Sequence, residues 1–213
     1  MNIDYHQWLS MWPYAAIAIT VAAWALYHLF APANWREWAG AGLVQAFAIA
    51  LYAEMYGFPL TLYFLSGALP VDAPLVHHDG HLWATLLGYG AVGATVEMVL
   101  GYALIIPGLF LIAKGWVKVY CNPDDLVRHG VYRLIRHPQY TGLFLVIAGQ
   151  LVHWPTIPTF ILSPIIVAVY VRLALREERR MTEKFGSDYL DYQRDVPRFL
   201  PKWSDLRALV AAG

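Results

Sequence analysis

The stretch "WPYAAIAITVAAWALYHLF", residues 12–30, determines which fold classes are open to this chain. It contains no Asp, Glu, Lys or Arg, and a helix of roughly 20 apolar residues crosses the hydrocarbon core of a bilayer. In lipid, every backbone N–H and C=O must be paired within the protein, so such a stretch crosses as a helix. The sequence therefore predicts an all-α integral membrane protein. We expect this first helix to be retained, because it lacks the basic leader and cleavage site of a secretory signal.

The composition supports the same fold class. Of the 213 residues, 59% are hydrophobic and 14% are charged, whereas about 25% are charged in an average soluble protein. The single cysteine, Cys121, excludes a disulfide framework and a cluster of thiolate ligands for zinc. No repeat, low-complexity tract or flexible linker interrupts the chain, so we expect one membrane domain over residues 1–213.

Two more apolar stretches follow the first one. One runs from about residue 39 to 65 and contains a candidate kink site at "GFP", residues 57–59. The next runs from about residue 82 to 113 and includes Pro107. Pro and Gly are tolerated in transmembrane helices because neighbouring groups can pair the backbone groups that they free. Residues 1–113 are therefore predicted to form three spans.

The remaining residues, 114–213, are predicted to form the second part of the membrane domain. Residues 140–174 are too long for one span, and the two prolines of "HWPTIP", residues 153–158, forbid a continuous helix. We therefore predict a tight helical hairpin, which brings the total to about five transmembrane helices. The charged residues 175–195 have helical spacing but cannot lie in hydrocarbon, so we predict a cytoplasmic helix.

The positive charges predict the orientation in the membrane. Of the 15 Lys and Arg residues, Arg36 alone precedes Lys114. Short cytoplasmic loops carry the excess of Lys and Arg in membrane proteins. With the N-terminus outside, five crossings place Arg36, residues 114–136 and the C-terminal segment on the cytoplasmic side. We expect the chain in a bacterial cytoplasmic membrane, with residues 114–136 and the C-terminal segment facing the cytoplasm.

Two glutamates fall in the middle of predicted spans. Placing the side chains of Glu54 and Glu97 in the bilayer core costs free energy, so an ionisable residue at such a position suggests a function. They are compatible with a polar cavity or with a hydrogen-bonded structural role. One alternative function is therefore a proton-coupled transporter component that uses both carboxylates, and another is a non-catalytic membrane scaffold.

The outer loop contains the cluster "HHDGH", residues 77–81. Imidazole and carboxylate groups are good metal ligands, but the spacing is not that of two ligands on one helix face. We assign no metal site to the sequence.

The polar chemistry is concentrated in "GVYRLIRHPQYTGLF", residues 130–144. Gly130 permits a tight turn, and Pro138 holds the residue before it in an extended conformation. Such a break exposes backbone groups, while Arg136 and His137 add a cation and a titratable ring. The stretch fits a ligand site, and it also fits a basic aromatic belt at the lipid headgroups.

A second polar pair, Glu177 and Glu178, follows the last predicted span. Flanking arginines make a solvated ion-pair surface one interpretation. The alternative is a carboxylate site for a cationic ligand, which the lower dielectric at the membrane edge would strengthen.

Together these two motifs carry a resemblance. "GVYRLIRHPQYTG", a hairpin and then "EERRMTEKFGSDYLDYQRDVPRFLP" resemble the C-terminal half of the isoprenylcysteine carboxyl methyltransferase and phospholipid methyltransferase superfamily, over about residues 126–201. The resemblance implies S-adenosyl-L-methionine as cofactor in a cytoplasm-facing pocket. The implied cofactor-binding residues are Leu126, Val127, Tyr132, Arg136, His137, Pro138, Gln139, Tyr140 and Glu177.

The resemblance also implies a lipophilic or small-molecule methyl acceptor, with membrane lipids as surroundings and no nucleic-acid partner. The catalytic residues predicted for that reaction are Glu178, Arg172, Arg176 and Arg198. In relatives that act on a carboxylate, an arginine lies four residues before the cofactor-binding glutamate. The present sequence departs from that pattern, because Leu173 occupies the position.

Overall fold

The computed structural model describes residues 10–30, 35–56, 59–68, 81–121 and 125–203. Over these residues all regular structure is helical, which confirms the predicted all-α fold class. The α-helices, numbered here in chain order, are α1 (Trp12–Phe30), α2 (Trp35–Tyr56), α3 (Leu60–Ala68), α4 (Leu82–Leu87), α5 (Gly90–Cys121), α6 (Pro138–His153), α7 (Ile157–Phe185) and α8 (Ser187–Asp195). A short 3-10 helix, Gly130–Arg133, precedes α6.

Three helices are long and apolar enough to cross a bilayer, over Trp35–Tyr56, Gly90–Val117 and Ile157–Phe185. The apolar helix α1 has 19 residues, and α6 has 16. Large hydrophobic side chains of α5 are exposed along its outer face, including Val92, Val99 and Ile106. In an integral membrane protein, such a face contacts lipid.

The contacts divide the chain into two compact units. The first comprises Met1–Ile105 with Ile147–Val167, and the second comprises Ile106–Val146 with Ala168–Gly213. Helices α5, α6 and α7 are each divided between the two units, with one part of the helix in each.

The predicted second span is not one helix. Helix α2 ends at Tyr56 and α3 begins at Leu60, directly after the fully buried Pro59. Proline lacks the N–H that a continuous helix needs, so it is accommodated at a helix start rather than in the interior.

The predicted third span is also divided. Helix α4 ends at Leu87 and is followed by Gly88, whose φ of 70° is left-handed, and Gly90 at φ 52° begins α5. Glycine adopts this conformation without the steric cost that a side chain imposes. Pro107, in contrast, lies inside α5 without ending the helix.

Helix α6 ends at His153 and α7 begins at Ile157, within the segment "HWPTIP". Helix α7 begins directly after Thr156, whose hydroxyl accepts a hydrogen bond from the Thr159 N–H at 3.2 Å. The Thr159 hydroxyl in turn accepts from the Thr156 N–H at 3.0 Å. This reciprocal pairing is a capping box, which satisfies donors that every helix start leaves unpaired.

The charged residues 175–195 do not form one separate helix, as the sequence predicts, but belong to two helices. Helix α7 continues without a break to Phe185, and a new helix, α8, begins at Ser187. Gly186 separates them with a φ of 57°. Glu177 and Glu178 therefore lie within α7, beyond its apolar part.

The two mid-span glutamates each cap the start of another helix within the first unit. A Glu54 side-chain oxygen accepts the Thr61 N–H at 2.8 Å, near the start of α3. A Glu97 side-chain oxygen accepts the Ala84 N–H at the start of α4. Because the first turn of a helix has unpaired N–H donors and a partial positive charge, both carboxylates stabilise helix starts.

The outer cluster is described only in part. His77, His78 and Asp79 lie outside the described residues, whereas His81 stacks on His153 with ring centroids 5.1 Å apart. In the described part of the chain, no group of three His, Cys, Asp or Glu residues is arranged to hold a metal ion.

Candidate functional site

The helix break before α6 forms backbone hydrogen bonds with the residues that follow α8. Gly130, with a φ of 67°, begins the 3-10 helix, and Pro138 is the first residue of α6. The Arg136 N–H donates to the Pro197 carbonyl at 2.9 Å, and the His137 N–H donates to the Arg198 carbonyl at 3.1 Å. The two N–H groups exposed by the break are therefore paired with residues 197 and 198.

A buried ion cluster lies beside this break and is centred on Glu178, which is 4% exposed. The Arg136 guanidinium lies 2.9 Å from one Glu178 oxygen, and Arg198 donates to both oxygens at 2.8 and 2.6 Å. Burial by itself raises the pKa of a carboxyl group, but hydrogen bonds from His137 and Arg198 and the charge of Arg136 outweigh it. The pKa of Glu178 is therefore held well below its ordinary value, and the carboxylate stays charged.

Glu177 has a different environment, although it is the adjacent residue. Its side chain is 37% exposed, and it accepts a hydrogen bond from the Tyr140 hydroxyl. The His137 ring joins the two carboxylates, because its nitrogens lie 3.4 Å from Glu177 and 3.3 Å from Glu178. Glu177 is thus fixed in orientation but still reaches solvent.

The surroundings of the His137 ring favour its protonated form. Burial lowers the pKa of an imidazole, but the hydrogen bonds and negative charges of Glu177 and Glu178 outweigh this, so the pKa of His137 is raised. The ring also lies parallel to that of Tyr140, with centroids 5.5 Å apart and an angle of 4°. The stack fixes the plane of the Tyr140 ring.

A cavity of about 330 Å³ opens beside Glu177, wholly within the second unit. Several of the residues that line the cavity are tyrosines. Burial raises the pKa of Tyr189 to about 12, so its hydroxyl is neutral at physiological pH. Tyr192 donates to the Tyr132 carbonyl at 2.6 Å, which ties α8 to the 3-10 helix. The cavity therefore combines aromatic faces with the Glu177 carboxylate, which is already oriented.

The structure brings most of the predicted cofactor residues to this cavity. Eight of the nine line it: Leu126, Val127, Tyr132, Arg136, His137, Gln139, Tyr140 and Glu177. Pro138 is fully buried and is not part of the lining. Arg136 lines the cavity, but its guanidinium also donates to the carbonyls of Gln193 at 2.7 Å and Val196 at 3.0 Å.

The four predicted catalytic residues are not placed in the cavity wall. Glu178 and Arg198 pair with each other in the buried cluster. Arg172 and Arg176 are exposed on α7, and neither lines the cavity. Through Arg136, the Glu178–Arg198 pair connects the break before α6 with the residues after α8, and the predicted catalytic roles stay predictions.

Sequence reasoning missed five lining residues, namely Asp125, Arg180, Met181, Tyr189 and Tyr192. Helical spacing contained a signal for Arg180, because residues three apart share a helix face and Glu177 was already a site residue. Tyr189 and Tyr192 have the same spacing in α8. Asp125 precedes the motif in a segment without regular periodicity, and no sequence signal identified it.

Comparison with known proteins finds similarity to a known family. Residues 94–188 match the phospholipid methyltransferase family. Over this segment the chain is similar to the isoprenylcysteine carboxyl methyltransferase and phospholipid methyltransferase superfamily. The resemblance inferred from the two sequence motifs is thereby confirmed.

Individual relatives of the superfamily are similar over part of their length. Protein-S-isoprenylcysteine O-methyltransferase of Schizosaccharomyces pombe is 30% identical over 82 residues, which are 38% of this chain and 35% of that protein. The Mus musculus protein of the same name is 37% identical over 88 residues, 38% of this chain and 29% of the relative. Methanethiol S-methyltransferase of Pseudomonas deceptionensis is 25% identical over 139 residues, 58% of this chain and 50% of the relative. The matches thus span about a third to a half of these relatives.

The superfamily match covers part of the site. It begins in α5 and ends at Asp188, so it includes the break before α6 and the Glu177–Glu178 pair. Tyr189, Tyr192 and Arg198 lie beyond it.

Proposed function

We propose that this protein is a methyltransferase that uses S-adenosyl-L-methionine and acts on a lipophilic or small acceptor at the cytoplasmic face of the membrane. The observation that carries the proposal is the 330 Å³ cavity in which the break before α6, Tyr140 and Glu177 share one wall. Cavities of about 300–1,000 Å³ are typical for small molecules and cofactors. Similarity to the superfamily over residues 94–188 supports the same reaction class.

The lining fits the cofactor's chemistry. The Glu177 carboxylate suits the ammonium group of the aminoacyl tail as a charge-assisted hydrogen-bond acceptor. The faces of Tyr132, Tyr189 and Tyr192 suit a flat ring and an adjacent cationic sulfur, since aromatic faces attract cations. When bound, the cofactor supplies an electrophilic methyl group on a sulfonium.

The chain's own contribution is alignment and exclusion of water. In methyl transfer, a bond forms between the acceptor and the methyl carbon while the bond from that carbon to sulfur breaks, so no covalent nucleophile of the protein is required. Tyr140 and His137 hold Glu177 through hydrogen bonds, and Glu178 holds His137. This chain of contacts positions the groups that bind the cofactor.

The contacts of Glu178 and His137 favour an acceptor that arrives as an anion. An amine acceptor needs a base to remove its proton, and these two are titratable groups beside the cavity. Glu178 has a lowered pKa and three cationic partners, which make it a weak base, and both ring nitrogens of His137 already face the carboxylates of Glu177 and Glu178. A carboxylate or thiolate acceptor requires no base, and relatives are named for a thiol and for an isoprenylcysteine substrate.

Calorimetric titration of the detergent-purified protein with S-adenosylmethionine and S-adenosylhomocysteine tests the proposal. We expect saturable binding of both ligands, and a loss of at least about tenfold in affinity for Glu177→Gln, since hydrogen bonds to charged groups contribute about 1.5–3 kcal/mol. Glu183→Gln is the matched control, because Glu183 is exposed on the same helix and does not line the cavity. If the folded, unaltered protein binds neither ligand, the proposal is wrong.

Transfer of a labelled methyl group identifies the acceptor. The purified protein is incubated with labelled cofactor and, separately, with a total lipid extract, a small alkyl thiol and a prenylated cysteine. We expect label in the thiol or the carboxylate. Labelling of lipid amines, rather than of the thiol or the carboxylate, would contradict the inferred preference for an acceptor that arrives as an anion.

A further inference from the structure

We infer that Arg180 is a cofactor-specificity residue that binds the α-carboxylate of the aminoacyl tail while Glu177 binds its ammonium group. The inference rests on the proposed function and extends it to a residue that the sequence motifs did not single out.

The spacing of the two residues matches the ligand. Glu177 and Arg180 lie three residues apart on α7, so their Cβ atoms are neighbours on one helix face, about 5–6 Å apart. Both side chains line the cavity. An α-amino acid carries its ammonium and carboxylate groups on the same carbon atom. A carboxylate and a guanidinium one helical turn apart can therefore contact the two groups at once.

The other arginines near the site are excluded by their surroundings. Arg136 and Arg198 are committed to Glu178, at 2.9 and 2.6 Å. Arg172 and Arg176 lie outside the cavity. Arg180 is exposed at the cavity wall, and its planar fork suits a carboxylate through two parallel hydrogen bonds.

The charge of the cavity gives Arg180 a physical reason to be there. Asp125 and Glu177 are both carboxylates in the lining. Arg136 and His137 also line the cavity, and they pair with Glu178 and Glu177. Arg180 adds a further positive charge, which attracts the negative end of a zwitterionic tail. Arg180 converts a general site for cations into one that distinguishes an amino acid from a simple amine.

A comparison of two ligands with two variants tests this role. The ligands are S-adenosylhomocysteine and its decarboxylated analogue, which keeps the amine and lacks the carboxylate. The variants are Arg180→Gln and the matched control Arg179→Gln, which removes an adjacent exposed arginine that does not line the cavity. Affinities are measured by calorimetry on the detergent-purified full chain, after thermal unfolding has shown that each variant is folded.

We expect Arg180→Gln to weaken S-adenosylhomocysteine binding by about tenfold, the lower end for a charge-assisted contact because the side chain is exposed. Binding of the decarboxylated analogue should be unchanged. Arg179→Gln should change neither affinity, and Arg180→Lys should restore part of the loss.

Two results would overturn the inference while leaving the proposed function intact. In one, Arg180→Gln weakens both ligands equally, which would make its effect independent of the carboxylate. In the other, Arg180→Gln behaves like Arg179→Gln. A wild-type protein that binds neither ligand would instead refute the proposed function, so the two failures are distinguishable.

Discussion

Adjacent residues in a helix point about 100° apart, and Glu177 and Glu178 show what this separation does to two identical groups. One reaches the cavity and solvent, while the other is enclosed by Arg136, Arg198 and His137. The first is suited to bind a cationic ligand. The second is suited to hold the surrounding backbone segments together.

This division predicts different consequences for the two glutamates. Glu178→Gln leaves Arg136 and Arg198 without a balancing charge, and removing one partner of a buried ion pair typically costs about 3–5 kcal/mol. Because Arg198 is 34% exposed, we expect the lower part of that range. In detergent, the unfolding temperature should be clearly lower for Glu178→Gln and little changed for Glu177→Gln. Equal unfolding temperatures for the two variants would show that Glu178 does not hold these backbone segments together.

His137 predicts a pH dependence of stability. Its pKa is raised by Glu177 and Glu178, whose charges face it, while Arg136 lies beside the same cluster. A group with a raised folded-state pKa contributes stability that is fully present below its ordinary pKa of about 6.5 and is lost as the pH rises through the raised value. The lowered pKa of Glu178 acts only at acidic pH, outside this window.

The measurement compares wild type with His137→Gln, which cannot carry the charge. We expect the wild type to unfold at a higher temperature near pH 6, and the difference to shrink by about pH 9. The same difference at both pH values would show that the His137 charge does not stabilise the fold.

The sequence predicted the site's members better than their roles. The His-Pro break and the double glutamate are local patterns, and they identified eight lining residues. Whether Glu177 or Glu178 faces the cavity depends on the rotation of α7. Likewise, the pairing of Arg198 with Glu178 requires the residues after α8 to return to the break, and no local pattern encodes that return.

At the scale of helices, glycines decide how closely α5 and α6 approach. A Cβ added to Gly101 would lie 2.9 Å from the Gly149 carbonyl oxygen in the first unit. In the second unit, a Cβ added to Gly108 would lie 2.7 Å from the Gly142 carbonyl oxygen. The glycines recur every seven residues on each helix, which keeps them on one face. Small residues of this kind let backbones touch where no hydrophobic effect drives helices together.

Gly108→Ala should therefore destabilise the protein. The added Cβ would also lie 2.9 Å from Val146, so α6 must shift, and overpacking of this kind costs about 1–3 kcal/mol. Gly42→Ala on α2 is the matched control, because its added Cβ meets nothing within 4 Å. Thermal unfolding in detergent should separate the two variants. If Gly108→Ala is as stable as Gly42→Ala, α5 and α6 do not approach each other closely at Gly108.

The mid-span glutamates illustrate what composition alone does not distinguish. The sequence left Glu54 and Glu97 open to a proton-coupled role or a structural one, and both cap helices. Capping requires an acceptor oxygen but no titration, so Glu54→Gln should retain most stability and methyl-transfer activity. Glu54→Ala should lose about 1–2 kcal/mol, as for other lost caps. A transporter that carries protons on Glu54 would be inactivated by both changes, which proton-flux measurement in vesicles would detect.

At the scale of the whole molecule, helix length limits the number of crossings. Three helices are long enough to span. The 16 residues of α6 extend about 24 Å, less than the roughly 30 Å of a bilayer core, and α1 has 19 residues. Local thinning of the bilayer and protein contacts can accommodate a short helix. Five crossings therefore remain a prediction from the sequence, which combines the apolar stretches with the distribution of charge.

Parity tests this prediction, because an odd number of crossings places the two ends on opposite sides of the membrane. In a Cys121→Ser background, Ser10→Cys and Ser187→Cys each introduce one exposed thiol, before α1 and at the start of α8. With the positive charges inside, a membrane-impermeant maleimide should label position 10 in intact bacterial spheroplasts and position 187 only after permeabilisation. Labelling of both positions without permeabilisation, or of neither, would mean an even number of crossings, and the reverse pattern would mean that the orientation is inverted.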